Sequence, residues 1–243
     1  MEIIAHRGAS YDAPENTLAA MRLAWAQGAD AIECDVHLTR DGALAVIHDE
    51  DTHRTAGTKL EVARATFAEL RALDVGRWKH AKFSGEKIPT LDEVLALVPA
   101  GRRAFVELKG GPAIVDALAS QLGRSGLAAT QVTIIAFDLE TARAAKKRLE
   151  KNPVCWIIER DSPEGRWSTD EILARVREAR LDGLDLDATW PIDTGFVQQI
   201  RRAGIKLYVW TLDDASRARE LIAAGVDGIT TNRPEWLRAA LAR

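Results

Sequence analysis

A chain of 243 residues, 47% hydrophobic and 28% charged, carries enough apolar surface for a sizeable core and is not a disordered protein. Its 33 basic and 36 acidic side chains leave a formal charge of −3, which offers no field for a nucleic-acid backbone or an anionic bilayer and disfavours a nuclease. Cys34 and Cys155 are too few for a disulfide framework, and no apolar run approaches the roughly 18 residues of a membrane span. The segment from Met1 to Gly8 has an acidic second residue and no long apolar stretch. A signal peptide is therefore not expected, and a cytoplasmic protein is.

In chain order, an apolar run over residues 2–5 predicts the first strand, and a helical period over 15–27 the first helix. A second strand is expected over 31–36. The connection from His37 to Arg102 is about twice as long as a standard strand–helix unit. Its polar part, about residues 49–89, carries one short helix candidate over 66–73. Helix 91–97 and strand 103–108 restore the alternation. It continues through helix 114–122, strand 132–136, helix 139–149, strand 154–158, helix 170–179 and strand 183–186. Helix 194–202, strand 206–210, helix 215–223, strand 226–230 and helix 234–241 complete the chain.

Local signals support these boundaries. Thr90 with Glu93 and Ser168 with Glu171 have capping-box spacing, Pro234 suits a first helical turn, and Gly28, Gly204 and Gly225 stand where helices stop. Eight strands alternating with eight helices predict an α/β fold, a parallel sheet closed as a (β/α)8 TIM barrel in one domain of the usual ~250 residues. The insertion would leave the second strand and lie over the active-site face. A doubly wound open sheet is the structural alternative.

The second strand reads Ala31-Ile32-Glu33-Cys34-Asp35-Val36, and alternation puts Glu33 and Asp35 on the face opposite Ile32, Cys34 and Val36. The apolar trio suits the helix-facing side, so the carboxylates point into the barrel. Two unpaired anions there would cost several kcal/mol or take up protons. Either a divalent metal or an internal salt bridge to Arg7 or Lys109 answers that cost. The next barrel strand ends Phe105-Val106-Glu107-Leu108-Lys109 and brings a third carboxylate and an ammonium to the same rim. Three oxygen ligands suit one Mg²⁺ or Ca²⁺ better than zinc, which favours Cys and His.

His6-Arg7-Gly8 follows the first strand, and His48-Asp49 follows the apolar segment over 44–47. Two imidazoles at strand ends beside carboxylates fit general acid–base work at neutral pH. Arg7 and Lys109 supply cationic donors for a phosphate. His37, His53 and His80 lack this context and are expected on the surface or in loops. Trp210 ends a strand at the rim, and Trp190 is a second candidate for a pocket aromatic. Pro14-Glu15-Asn16-Thr17 reads either as a helix start or as part of the site. Together these residues describe metal-assisted cleavage of a phosphodiester.

From about residue 3 to 237 the chain resembles the glycerophosphodiester phosphodiesterases, barrel enzymes of the phosphatidylinositol-phospholipase-C-like group. The resemblance rests on His6-Arg7-Gly8, Pro14-Glu15-Asn16-Thr17, Glu33-Cys34-Asp35-Val36, His48-Asp49, Arg54-Thr55, Ile88-Pro89-Thr90-Leu91, Glu107-Leu108-Lys109, Trp210-Thr211 and Asp227-Gly228-Ile229-Thr230-Thr231, in family order and spacing. It implies that Glu33, Asp35 and Glu107 ligate Mg²⁺ or Ca²⁺, and that His6 and His48 are the acid–base pair, His6 usually the acceptor. It further implies that Arg7 and Lys109 bind phosphate and that Trp210 lines the pocket. The implied reaction releases sn-glycerol 3-phosphate and an alcohol from a small glycerophosphodiester, with no nucleic acid and no stable membrane association. Thr52, His53 and Ala56 depart from the family's pattern in the insertion, which bears on the alcohol rather than on the metal or the imidazoles. A barrel that binds phosphodiesters without turnover would lack one of these groups, and none is missing. A phospholipase or lyase acting on lipid would need a docking surface that the sequence does not offer.

Overall fold

In the computed structural model, which describes residues 1–242, strands and helices alternate as the apolar periods dictate. β1 (Glu2–Ala5) leads to α1 (Leu18–Ala26) and β2 (Ala31–Leu38). β3 (Leu44–Val46) folds back on the end of β2, and the insertion beyond it holds α2 (His53–Ala56) and α3 (Phe67–Ala72) before α4 (Leu91–Leu95). The regular part runs β4 (Arg103–Leu108), α5 (Ile114–Leu122), β5 (Val132–Ala136), α6 (Leu139–Arg148), β6 (Val154–Ile158) and α7 (Thr169–Glu178). It ends with β7 (Gly183–Asp187), α8 (Thr194–Arg202), β8 (Lys206–Trp210), α9 (Ala215–Ala224), β9 (Gly228–Thr231) and α10 (Pro234–Leu241). No helix among the described residues is long and apolar enough to cross a membrane.

Eight parallel strands stand in the order β1-β9-β8-β7-β6-β5-β4-β2, and β1 pairs with β2 to close the ring. This is the predicted (β/α)8 TIM barrel. Alternation along each strand sorts the side chains. Cys34, Val106, Ile134, Trp156, Leu184 and Val209 face the helices and form the larger core. Ile4, Phe105, Ile135, Cys155, Ile157 and Tyr208 fill the barrel interior, each large apolar side chain contributing roughly 1.5–3 kcal/mol. At the N-terminal end of the barrel, Arg103 Nη1 donates to both Glu2 oxygens at 2.8 and 2.9 Å.

Three features depart from the sequence expectation. The first helix begins at Leu18 rather than at residue 15, with the Thr17 hydroxyl accepting from the Ala20 N–H at 3.2 Å as its cap. Asn16 adopts φ 56°, outside helical space, because its side chain is committed to Asp35. The apolar segment after β2 is a true strand, β3, paired antiparallel through Val36–Val46, His37–Ala45 and Leu38–Leu44. The insertion is better ordered than its polarity suggests. Ala45, Ile47, Val62, Leu70, Val75 and Ile88 form a small core of its own, and Arg71 grips Glu93 through two 2.7 Å hydrogen bonds. The loop after β1 is pinned in turn by Gly8 at φ +80°, where a Cβ would stand 2.6 Å from the Ala20 carbonyl carbon. Only glycine lets that loop lie directly on α1.

Candidate active site

Parallel pairing of β2 with β4 sets Asp35 beside Glu107, and Glu33 lies one inward position below Asp35. One oxygen from each of the three carboxylates falls within 4.8 Å of the others, and all three residues are buried. Two cations and one amide surround them. Lys109 Nζ lies 3.1 Å from Asp35 Oδ1 and also touches Glu107 Oε1. Arg7 Nε is 3.2 Å from Asp35 Oδ2, and the Arg7 backbone N–H donates to Glu33 Oε2 at 2.8 Å. Asn16 Nδ2 donates to Asp35 Oδ2 at 2.7 Å. The salt bridge and the carboxylate cluster thus coexist.

Two cations against three carboxylates leave a negative surplus, and burial together with that surplus raises the carboxyls of Glu33 and Glu107. Burial and the charges of Asp35 and Glu107 push the Glu33 carboxyl far above its ordinary range. Burial and Asp35 push Glu107 up to about 7. Asp35 is held well below the usual range: burial opposes ionisation, but Lys109, Arg7, His48 and the Asn16 hydrogen bond outweigh it. Glu33 Oε1 is buried and accepts no hydrogen bond, and Asp35 Oδ1 and Glu107 Oε1 have ion-pair contact without hydrogen-bond alignment. Three convergent, under-satisfied oxygens with an all-oxygen donor set fit a divalent cation.

The imidazoles flank this trio, one from the loop after β1 and one from the segment after β3. His6 Nδ1 lies 2.7 Å from Asn232 Oδ1. Asn232 Nδ2 donates to Asp213 Oδ2 at 2.7 Å, which fixes the amide's orientation and makes its oxygen the acceptor. His6 therefore carries its proton on Nδ1 and leaves Nε2 as a lone pair. Burial, with the Arg7 charge, lowers its pKa to about 4 against the opposing Asn232 bond, so the ring is neutral at physiological pH. His48 Nδ1 donates to Asp49 Oδ1 at 2.7 Å. Asp49 is held down to about 2: burial resists, while hydrogen bonds from Arg54 and His48 prevail. Arg54 also donates to both Glu15 oxygens at 2.8 Å, and Glu15 accepts from Arg7 Nη1 at 2.9 Å. One chain of ion pairs thus links the insertion to both imidazole-bearing segments.

His6, Arg7, Glu33, His48, Glu107, Lys109 and Trp210 line a single cavity at the barrel mouth. Asp35 lies just behind it, 1% exposed. The far wall is mainly apolar, built from Ile135, Phe137, Ile157 and Trp210 with the carboxyls of Glu159 and Asp185 among them, and Trp210 stands edge-on to Phe137 at 5.5 Å between centroids. Trp190 does not reach the cavity. It is buried against Phe196, with Nε1 donating to the Ile158 carbonyl at 3.3 Å. His37, expected on the surface or in a loop, shares the inward parity of Glu33 and Asp35 at the end of β2. Its Nε2 lies 2.9 Å from the His48 carbonyl oxygen and steadies that segment. His53 and His80 are exposed as expected.

Sequence reasoning passed over Asn232, Asp49 and Asp185 as site residues. Asn232 follows β9 directly, and a polar residue just past a barrel strand is a signal that could have found it. Asp185 was open to the same parity argument as Glu33.

The description "Glycerophosphoryl diester phosphodiesterase family" belongs to the family model that matches residues 6–236. A relative from Caldanaerobacter subterraneus subsp. tengcongensis, named glycerophosphodiester phosphodiesterase, is 35% identical over 97% of this chain and 95% of its own. One of the same name from Bacillus subtilis is 30% identical over 96% and 83%. An Oleispira antarctica phosphodiesterase, solved in complex with the product sn-glycerol-3-phosphate, superimposes with a TM-score of 0.89 at 28% identity, covering 100% of this chain and 97% of that one.

Proposed function

This chain belongs to the glycerophosphoryl diester phosphodiesterase family and hydrolyses glycerophosphodiesters, and we propose that His6 and His48 divide the proton transfers of that reaction while Glu33, Asp35 and Glu107 hold one Mg²⁺ or Ca²⁺. The observation that carries this reading is the pairing of two differently held imidazoles around one under-satisfied carboxylate trio. A divalent cation bound there supplies charge neutralisation at the phosphoryl oxygens.

The residues themselves do the rest. Arg7 and Lys109 present positive charge to the phosphate at the cavity wall. His6, neutral and with its Nδ1 proton tied to Asn232, receives at Nε2 a proton of the attacking water, whose oxygen bonds to phosphorus as the bond to the alcohol's oxygen breaks. His48, steadied through Nδ1 by Asp49, delivers a proton from Nε2 to the departing alkoxide. The products are sn-glycerol 3-phosphate and an alcohol. The largely apolar far wall lowers the local dielectric and strengthens each of these charge interactions.

The test is a coupled assay for released glycerol 3-phosphate over a panel of glycerophosphodiesters. Chelation with EDTA should abolish turnover, and Mg²⁺ or Ca²⁺ should restore it. His6→Ala and His48→Ala should each lower kcat by about 10²–10⁴-fold with the fold intact. Wild-type turnover in either variant would remove that imidazole from the mechanism, and chelator-resistant hydrolysis would remove the cation.

A further inference from the structure

We propose that Asp185 is a polyol subsite: its carboxyl hydrogen-bonds a hydroxyl of the substrate's glycerol arm. This inference rests on the phosphodiesterase reading above and extends it from the phosphate to the rest of the substrate. Asp185 sits at an inward position of β7, 2% exposed, and lines the same cavity as His6, Arg7 and Glu107. Its Oδ1 has no hydrogen-bond partner, and no cation pairs with it among the described residues. Buried polar groups in folded proteins are overwhelmingly satisfied, so an orphaned carboxyl aimed into a substrate cavity marks a missing partner.

The barrel order shows which part of the substrate that partner is. β7 stands four strands from β2 in either direction round the ring, so Asp185 faces the carboxylate trio across the mouth. The phosphate belongs to the β2 and β4 side, where Arg7 and Lys109 are, and a carboxyl repels it. Asp185's strand neighbours at the same level are Ile157 and Tyr208, and Trp210 packs above it, donating Nε1–H to the Asp185 carbonyl at 3.2 Å. Glu159 also lines that side of the cavity, but it stands exposed just past β6, which leaves Asp185 as the buried carboxyl there that can read a polar group on the ligand. The glycerol arm has hydroxyls in every substrate of this class, whatever the alcohol. Burial, with the charge of Glu107, pushes the Asp185 carboxyl up to about 8, so at neutral pH it can donate to a hydroxyl oxygen as well as accept from a hydroxyl proton.

The experiment compares glycerol 3-phosphate with n-propyl phosphate, which has the same phosphate and chain length but no free hydroxyl. Binding is measured by titration calorimetry on the full chain in buffer containing Mg²⁺ or Ca²⁺. The wild type should bind glycerol 3-phosphate at least about tenfold more tightly. Asp185→Leu should collapse that preference to about onefold while leaving n-propyl phosphate affinity unchanged. Asp185→Asn, which keeps a donor and an acceptor in the same shape, should retain most of it. Melting temperatures of both variants check that they fold. A preference that survives Asp185→Leu overturns the proposal and leaves Asp185 holding only a water. Equal losses for both phosphates also overturn it and make Asp185 part of the phosphate site. A wild type without any preference, yet active on glycerophosphodiesters, sinks the subsite alone. A wild type that releases no glycerol 3-phosphate from any diester sinks the parent reading.

Discussion

The two imidazoles differ through their Nδ1 partners: an amide oxygen for His6 and a carboxylate for His48. The amide oxygen holds the His6 proton on Nδ1 and leaves Nε2 as a free lone pair, which suits the acceptor role proposed for it. Replacing Asn232 with Leu frees the His6 tautomer and leaves the Ser10 hydroxyl, which donates to Asn232 Oδ1 at 2.9 Å, without its acceptor. The expected outcome in steady-state kinetics is a kcat lower by about 10–100-fold with KM nearly unchanged. An equal rise in KM would assign Asn232 to substrate binding instead. Asp185 gives a second prediction, on stability. The folded chain keeps its proton up to a pH of about 8, whereas the unfolded chain releases it near pH ~4. The folded state therefore binds more protons across that window, and stability falls as pH rises through it. Asp185→Asn removes the penalty. Its melting temperature should match the wild type near pH ~4 and exceed it by about 10–20 °C near pH ~8. A constant gap across this range would show that the carboxyl does not titrate there.

At the level of elements, the β strands were legible because one rule, inward or outward by parity, governs every barrel strand. It points Glu33, Asp35 and Glu107 into the barrel, where the structure has them side by side. The insertion was not legible, because its order comes from short helices whose contacts are distant in sequence. Leu70 meets Ala45, Ile47 and Ile88 only after β3 folds back on β2. Pro14 to Thr17 allow two readings for a related reason: the residue types favour a helix start, but Asn16 is held out of helical space by Asp35. Tertiary contact overrode propensity there. The insertion's separate core gives a prediction. Leu70→Ala should cost about 2–5 kcal/mol locally. Hydrogen exchange should then speed up across residues 49–89 while β4 to β8 stay protected. Activity should fall too, because Arg54 of α2 buttresses both Glu15 and Asp49. Uniform acceleration through the barrel strands would show that insertion and barrel unfold as one unit.

Over the whole molecule, the carboxylate trio is a local excess of negative charge inside a chain that is nearly neutral, at −3 over 243 residues. The barrel's apolar interior gives that excess nowhere to go, so the fold bears it as raised carboxyl pKa values at Glu33 and Glu107. A divalent cation seated by the trio would bind the folded chain and not the unfolded one, whose three carboxylates are scattered over more than seventy residues of sequence. At a hundredfold excess over Kd such binding stabilises by about 2.7 kcal/mol, which for a protein of this size raises the melting temperature by roughly 5–11 °C. The comparison is a thermal scan in EDTA against one in Mg²⁺ or Ca²⁺. Glu33→Gln removes one oxygen donor's charge and relieves the repulsion in advance. That variant should therefore melt above the metal-free wild type, yet gain little from the cation. If both proteins gain equally, the ion binds elsewhere on the surface, and the three buried carboxylates are held by Arg7 and Lys109 alone.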